Sequence, residues 1–207
     1  LGKSLEAQIK LGHALSEIKK HADGTYTAVF EHRGKLKSIK ADYLILALPF
    51  TKLREVKTTG FAWSPVKAQC IRELGYGNGG KILFGLNERV WRKHGSHGGF
   101  NTDFPAYSGW DSSRMQAGEL ASLTVFGGSN IGHDAAQLNS NEILSKYMPG
   151  LDQLWPGFKA ASNGKMHKFS WESYPFNLGS YTAYKPGQWS SFGGIEKEPE
   201  GNIFFAG

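Results

Sequence analysis

The sequence predicts an α+β fold, a mixed β-sheet flanked by helices, and three stretches carry that expectation. Thr25–His32, TYTAVFEH, is dense in β-formers and passes through Arg33-Gly34-Lys35 into a second such stretch, Leu36–Lys40. Leu44–Leu48, LILAL, is apolar without alternation, the pattern of a strand buried on both faces. Ser64-Pro65 opens a run in which Val66, Cys70, Ile71 and Leu74 recur at helical spacing, and the glycine-rich YGNGG that follows leads into an apolar strand, Lys81–Leu86.

Each element has a local reason. Ile9–Leu11 reads as a short strand, followed by Leu15–Ile18, and Pro49 ends the apolar run from Leu44. Ser64 suits an N-cap, Pro65 suits the first helical position, and Gly75 stops the helix. Gly95–Asp111 is rich in glycine and aromatics and has no clear period; it is either a substrate-facing loop or an irregular surface loop. Gly118–Gly128 reads as a strand. Asn139-Ser140-Asn141-Glu142 is a capping-box start for a helix to about Met148, stopped by Pro149-Gly150. On the strand Lys165–Trp171, His167, Phe169 and Trp171 share one face. His167 has no carboxylate at useful spacing and reads as a partly buried structural histidine. Ile203–Ala206 is a final buried strand.

Composition narrows the function. The 207 residues are enough for a proper core, and 40% hydrophobic with 20% charged residues describes a soluble globular chain, for which a cytoplasmic location is the simplest expectation. No apolar run approaches the roughly 20 residues of a membrane helix. The opening LGKSLEAQIK has neither an initiator Met nor a signal-peptide layout, so the chain reads as part of a longer protein. The net charge of +6 comes from scattered lysines. Lys19-Lys20 and the run Lys35–Lys40 sit beside turn signals, as a solvated face does, and no nucleic-acid site is expected. Cys70 is the only cysteine, which excludes an internal disulfide, and the seven histidines lack metal-ligand spacing, so no metal is expected.

The densest aromatic stretch is Trp171–Trp189, WESYPFNLGSYTAYKPGQW. Its rings alternate with Pro175, Gly179, Pro186 and Gly187, a layout suited either to a flat pocket or to a small core under a loop. The order of its letters, W…G-x-Y-x-x-Y-x-P-G followed by GNIFFAG at the end of the chain, resembles the flavin-containing amine oxidases, which include monoamine, L-amino-acid and polyamine oxidases. The segment L-G-Y-G-N-G-G-K-I-L-F with Trp91-Arg92 after it resembles the part of that family that carries a lysine near the flavin.

The resemblance implies roles. Lys81 would be catalytic, holding a water near the flavin and assisting reoxidation by dioxygen; read without it, Lys81 is an exposed strand-end lysine. Tyr181 and Trp171 would bind substrate, with Trp171 also near the flavin. Leu15, Leu48, Pro49, Ala206 and Gly207 would contact FAD, although residues of these types are ordinarily core. Ser180 stands where monoamine oxidases carry a flavin-bound cysteine; serine cannot form that thioether, so FAD would be non-covalent. The resemblance further implies a partial FAD-binding domain over 1–70, a substrate domain over 71–173 and a return to the FAD-binding domain over 174–207. The partners implied are an amine or amino-acid substrate and dioxygen. No G-x-G-x-x-G follows a strand, since Gly75–Gly80 follows a helix. Amino-acid oxidases add an arginine for the carboxylate, and Arg72, Arg89, Arg92 and Arg114 are the candidates. Two rival readings are a protoporphyrinogen-oxidase or carotenoid-desaturase relative, and a non-enzymatic module whose aromatic loop stacks on a sugar or cation.

Overall fold

The computed structural model describes residues 3–207. After a 3₁₀ turn at Lys3–Gln8 come strands β1 (Ala14–Lys20), β2 (Tyr26–His32), β3 (Lys35–Ala41) and β4 (Leu44–Leu46), then α1 (Phe50–Leu53), β5 (Lys57–Thr59) and α2 (Pro65–Glu73). Strands β6 (Gly80–Leu86), β7 (Phe100–Asn101), β8 (Ser108–Asp111) and β9 (Ala121–Gly127) follow. Helices α3 (Asn130–Gln137), α4 (Ser140–Leu154) and α5 (Phe158–Ala161) precede β10 (Ser162–Ser170), α6 (Gln188–Phe192) and β11 (Ile203–Phe205). This is the α+β architecture with mixed sheets that the sequence predicts. Among the described residues, no helix is long and apolar enough to cross a membrane.

The chain divides into two compact units, Leu1–Gly75 with Tyr184–Gly207, and Tyr76–Ala183. In the first, a four-stranded sheet has the order β3-β2-β1-β5, and β4 pairs in parallel with β11. Two sequence expectations are corrected here. Ile9–Leu11 is not a strand: Ile9 and Leu11 are exposed, Gly12 turns left-handed, and pairing begins only at Ala14. Nor are β4 and β11 buried on both faces. Leu46 and Ile203 point inward, whereas Ile45 is 72% and Phe204 43% exposed, because this two-stranded sheet is covered on one side. Helix α2 starts at Ser64-Pro65 as expected, but its buried face holds Lys67, Cys70 and Ile71, and Val66 faces out. Burial pushes the Cys70 thiol up to about 11, which leaves it inert.

The second unit is built on an antiparallel five-stranded sheet of order β10-β6-β9-β8-β7. Alternation in β6 and β9 sends Ile82, Phe84, Leu86, Leu123 and Val125 to one face, where they pack with Ile143, Tyr147 and Leu151 of α4 and Phe158 of α5. The stretch Gly95–Asp111 is not irregular throughout, since it supplies β7 and β8 at one edge of this sheet.

Helix α4 begins at a complete capping box. The Asn139 side chain accepts from the Asn141 and Glu142 amides (2.9 and 3.1 Å), and the Glu142 carboxylate accepts from the Asn139 amide (2.7 Å). Asn139→Ala is expected to lower stability by about 1 kcal/mol, read from the denaturation midpoint. The helix does not stop at Pro149 but runs to Leu154. Pro149 is exposed and forfeits one backbone hydrogen bond, while burying Tyr147, Met148 and Leu151 on the other side keeps the helix going.

Candidate active site

The face of the five-stranded sheet turned away from that core carries the residues singled out by the sequence. Strand registers place Phe169, Lys81, Phe126, Ser108 and Asn101 in one row across all five strands. The next row contains His167, Leu83, Thr124 and Trp110. Lys81 is exposed, and its Nζ lies 5.8 Å from the ring centroids of both Trp110 and Phe126. Those two rings are 5.6 Å apart. An ammonium between two aromatic faces is held electrostatically while its donors stay available. His167 is exposed on this face rather than partly buried, because β10 is the edge strand of the sheet.

The loop before Lys81 and the loop carrying Trp171 and Tyr181 are fastened together. Gly77 N donates to Tyr181 O (2.8 Å), Ser180 N to Gly77 O (2.7 Å), and Trp171 N to Gly79 O (3.0 Å). Gly179 N closes the second loop on Trp171 O (2.9 Å). The Ser180 hydroxyl accepts from Gly79 N (3.0 Å), a contact that sequence reasoning missed because its partner is 101 positions away. Ser180→Ala is expected to cost about 1 kcal/mol in a denaturant titration, since the Gly79 amide loses its acceptor. Trp171 packs edge-on to Phe169 (4.9 Å) and Tyr174 (5.9 Å) and stays 39% exposed, and Tyr181 is 77% exposed. Lys81, Trp171 and Tyr181 thus belong to one unit with hydrogen-bonded connections between their segments.

Of the four arginines, Arg89 is committed elsewhere. It is buried beside Asp111 (3.6 Å) and donates to the carbonyls of Gly118, Ser113 and Gln116 at 2.6, 2.8 and 3.0 Å. It therefore shapes the 113–118 loop and is not free for a substrate carboxylate. Arg72 pairs with Glu73 (2.6 Å), and Arg92 and Arg114 are exposed.

The first unit brings together four more of the expected residues. Ala206 N donates to Leu46 O (3.0 Å), which sets the end of β11 against the end of β4. A Cβ on Gly207 would lie 2.4 Å from Leu48 O, so the backbones of Gly207 and Leu48 touch and only glycine fits. Pro49, next in line, opens α1, its carbonyl accepting from Lys52 N and Leu53 N. Leu15 is half-buried in β1 opposite Phe30, in the other sheet of the same unit.

Compared with known proteins, residues 1–207 match the family of flavin containing amine oxidoreductases. The chain belongs to that family. A putative L-amino-acid oxidase, YobN of Bacillus subtilis (strain 168), is 30% identical over 98% of this chain and 42% of its own length. The L-amino-acid oxidase of Vipera ammodytes ammodytes is 25% identical over 99% of this chain and 43% of its own. Among solved structures, a putrescine oxidase superposes with a TM-score of 0.84 at 18% identity, over 99% of this chain and 44% of that one. Cyclohexylamine oxidase from Brevibacterium oxydans IH-35A gives 0.81 at 18%, with the same coverage. These structures share the fold. The chain spans about two fifths of the length of the relatives it matches.

Membership of a flavin containing amine oxidoreductase family implies a flavin, and the parallel strand ends of the first unit are the candidate place for it. The parallel β4 and β11 end side by side, and ligands of open parallel sheets bind beyond the carboxyl ends of the strands. There the Gly207 backbone packs directly on the backbone of Leu48, which brings the chain beyond both strands to one place.

Proposed function

We propose that this chain forms part of an FAD-dependent oxidase that converts an amine or amino acid to an imine, with dioxygen reduced to hydrogen peroxide and the imine hydrolysed by water. One observation carries the reading most: in a flavin-family chain, Lys81 stands on an aromatic sheet face with its loop tied to the Trp171 and Tyr181 loop. The sequence relatives named as L-amino-acid oxidases favour an amino acid over a simple amine. The first unit is the proposed part of the FAD-binding domain, and the second most of the substrate domain.

When bound, FAD supplies the two-electron oxidation of the C–N bond and hands the electrons to dioxygen. The chain positions and shields. Lys81 Nζ, a compact charge with three donors, holds a water at the reacting centre. Tyr181 and Trp171 are stiff aromatic walls that orient the neutral amine and keep bulk water away. Leu15, Leu48, Pro49, Ala206 and Gly207 hold FAD through backbone and apolar contact. No covalent link forms at Ser180, whose oxygen is not a thiol and accepts from Gly79.

The test is the visible spectrum of the complete gene product before and after anaerobic addition of pooled amino acids, then pooled amines. A yellow protein that bleaches and recovers in air is expected. A colourless protein that takes up no FAD would sink the reading. The isolated 207-residue chain with added FAD is expected to make no peroxide.

A further inference from the structure

Lys67, on α2, is 0% exposed. A lysine goes fully inside only when its charge and donors are matched. Its Nζ donates to the carbonyls of Ile195 (2.5 Å), Glu198 (2.7 Å) and Glu196 (3.2 Å), so three donors meet three acceptors. The same ammonium lies 3.9 Å above the Phe205 ring centroid and 5.9 Å from that of Phe50. Its neighbours on α2 reach the same stretch of chain. Ser64, instead of capping its own helix, donates from N and Oγ to the Glu200 carboxylate (3.2 and 2.5 Å). At the far end of the helix, Gln188 donates to Glu73 O (2.6 Å) and accepts from Gly75 N (3.1 Å).

Helix α2 therefore grips the returning segment 188–200 at three points, and β11 starts at Ile203, three residues beyond the last. We infer that Lys67 is a positioning residue: by fixing the 195–198 turn and the Phe205 ring, it sets where β11 delivers Ala206 and Gly207 to the flavin. This rests on the flavin reading above. The choice of residue fits the task. A methionine of similar length would take the ammonium away from three inward carbonyls, of which that of Ile195 keeps a backbone donor, Glu198 N, and an arginine fork cannot converge on one point. Burial lowers the lysine's pKa, and the nearby Glu200, Glu198 and Glu196 carboxylates oppose that shift.

The test compares Lys67→Met and the milder Lys67→Gln with Ile18→Ala, a fully buried position in β1 of the same unit, in the complete gene product. FAD affinity of the apoprotein and amide hydrogen exchange at Ile203–Phe205 are measured, each against the loss in Tm. Lys67→Met is expected to weaken FAD at least tenfold and to speed exchange at Ile203–Phe205 at least tenfold. Lys67→Gln, which keeps two donors, falls between, so the effect is readable even if the methionine variant does not fold. Ile18→Ala shifts FAD affinity less than threefold. Equal weakening of FAD by Lys67→Gln and Ile18→Ala at equal loss of Tm overturns the proposal, as does unaltered exchange at Ile203–Phe205. Wild-type protein that takes up no FAD overturns the flavin reading instead, and the exchange data then decide alone whether Lys67 anchors the strand.

Discussion

Lys81→Met is expected to slow reoxidation of the reduced flavin by dioxygen about hundredfold, the scale of a positioned proton-handling group, with flavin content unchanged. The measurement is stopped-flow mixing of substrate-reduced enzyme with oxygenated buffer. Methionine matches the length of the lysine stem but removes its charge and all three donors, so nothing remains to hold a water. Folding should hardly notice. The side chain is exposed, and the pairing of β6 with β9 and β10 uses backbone groups only. A stability change within about 0.5 kcal/mol is expected, as at other surface positions. The ring contacts with Trp110 and Phe126 are the packing at stake, and the methionine stem can keep contact with both. An unchanged reoxidation rate would reject the water-holding role. The rival reading, a desaturase-like or protoporphyrinogen-oxidase-like relative, would then regain its ground.

How much of this was legible depended on how far apart the partners lie. The Asn139–Glu142 capping box could be read because its groups are three residues apart and act alone. The β2–β3 hairpin and the strand opening at Lys81 were legible for a similar reason, since β-former density and turn residues are local signals. Lys67 was not. Periodicity ranks Val66 above a lysine for the inner face, and only the carbonyls of residues 195–198, some 130 positions later, reverse that order. Pro149 misled through a sound local rule that lost to the burial of Tyr147, Met148 and Leu151. Strands β7 and β8, two and four residues long, are too short to show a period. The roles proposed for Lys81, Trp171 and Tyr181 came from resemblance. That their loops are joined through Gly77, Gly79 and Ser180 could be seen only in three dimensions.

Gly132→Ala is the substitution in which local preference and tertiary contact predict opposite signs. Gly132 sits inside α3, where alanine is favoured over glycine by about 1 kcal/mol on helix propensity alone. The contact opposes this. A Cβ at 132 would fall 1.3 Å from Asn78 O and 2.5 Å from Asn78 C, that is, inside the backbone of the loop that leads to Lys81. Backbone cannot swing aside as a side-chain tip does, and overpacking of this kind costs about 3 kcal/mol. The net expectation is a loss of about 2 kcal/mol in a denaturant titration. Gly128→Ala is the control in the preceding turn. Its nearest neighbour would be 3.9 Å away, and a change within about 0.5 kcal/mol is expected. The functional effect should exceed the stability effect, because Asn78 also donates from its side chain to Ser129 O (2.8 Å), and Gly77 and Gly79 hold the Tyr181 and Trp171 loop. If α3 pushes that loop by about 1 Å, Lys81 and the aromatic walls shift together, and displacement on that scale costs about hundredfold in rate. A Gly132→Ala enzyme as stable and as fast as the Gly128→Ala control would show that α3 does not seat on the loop. A variant that folds but turns over slowly would show that the helix holds the lysine in register.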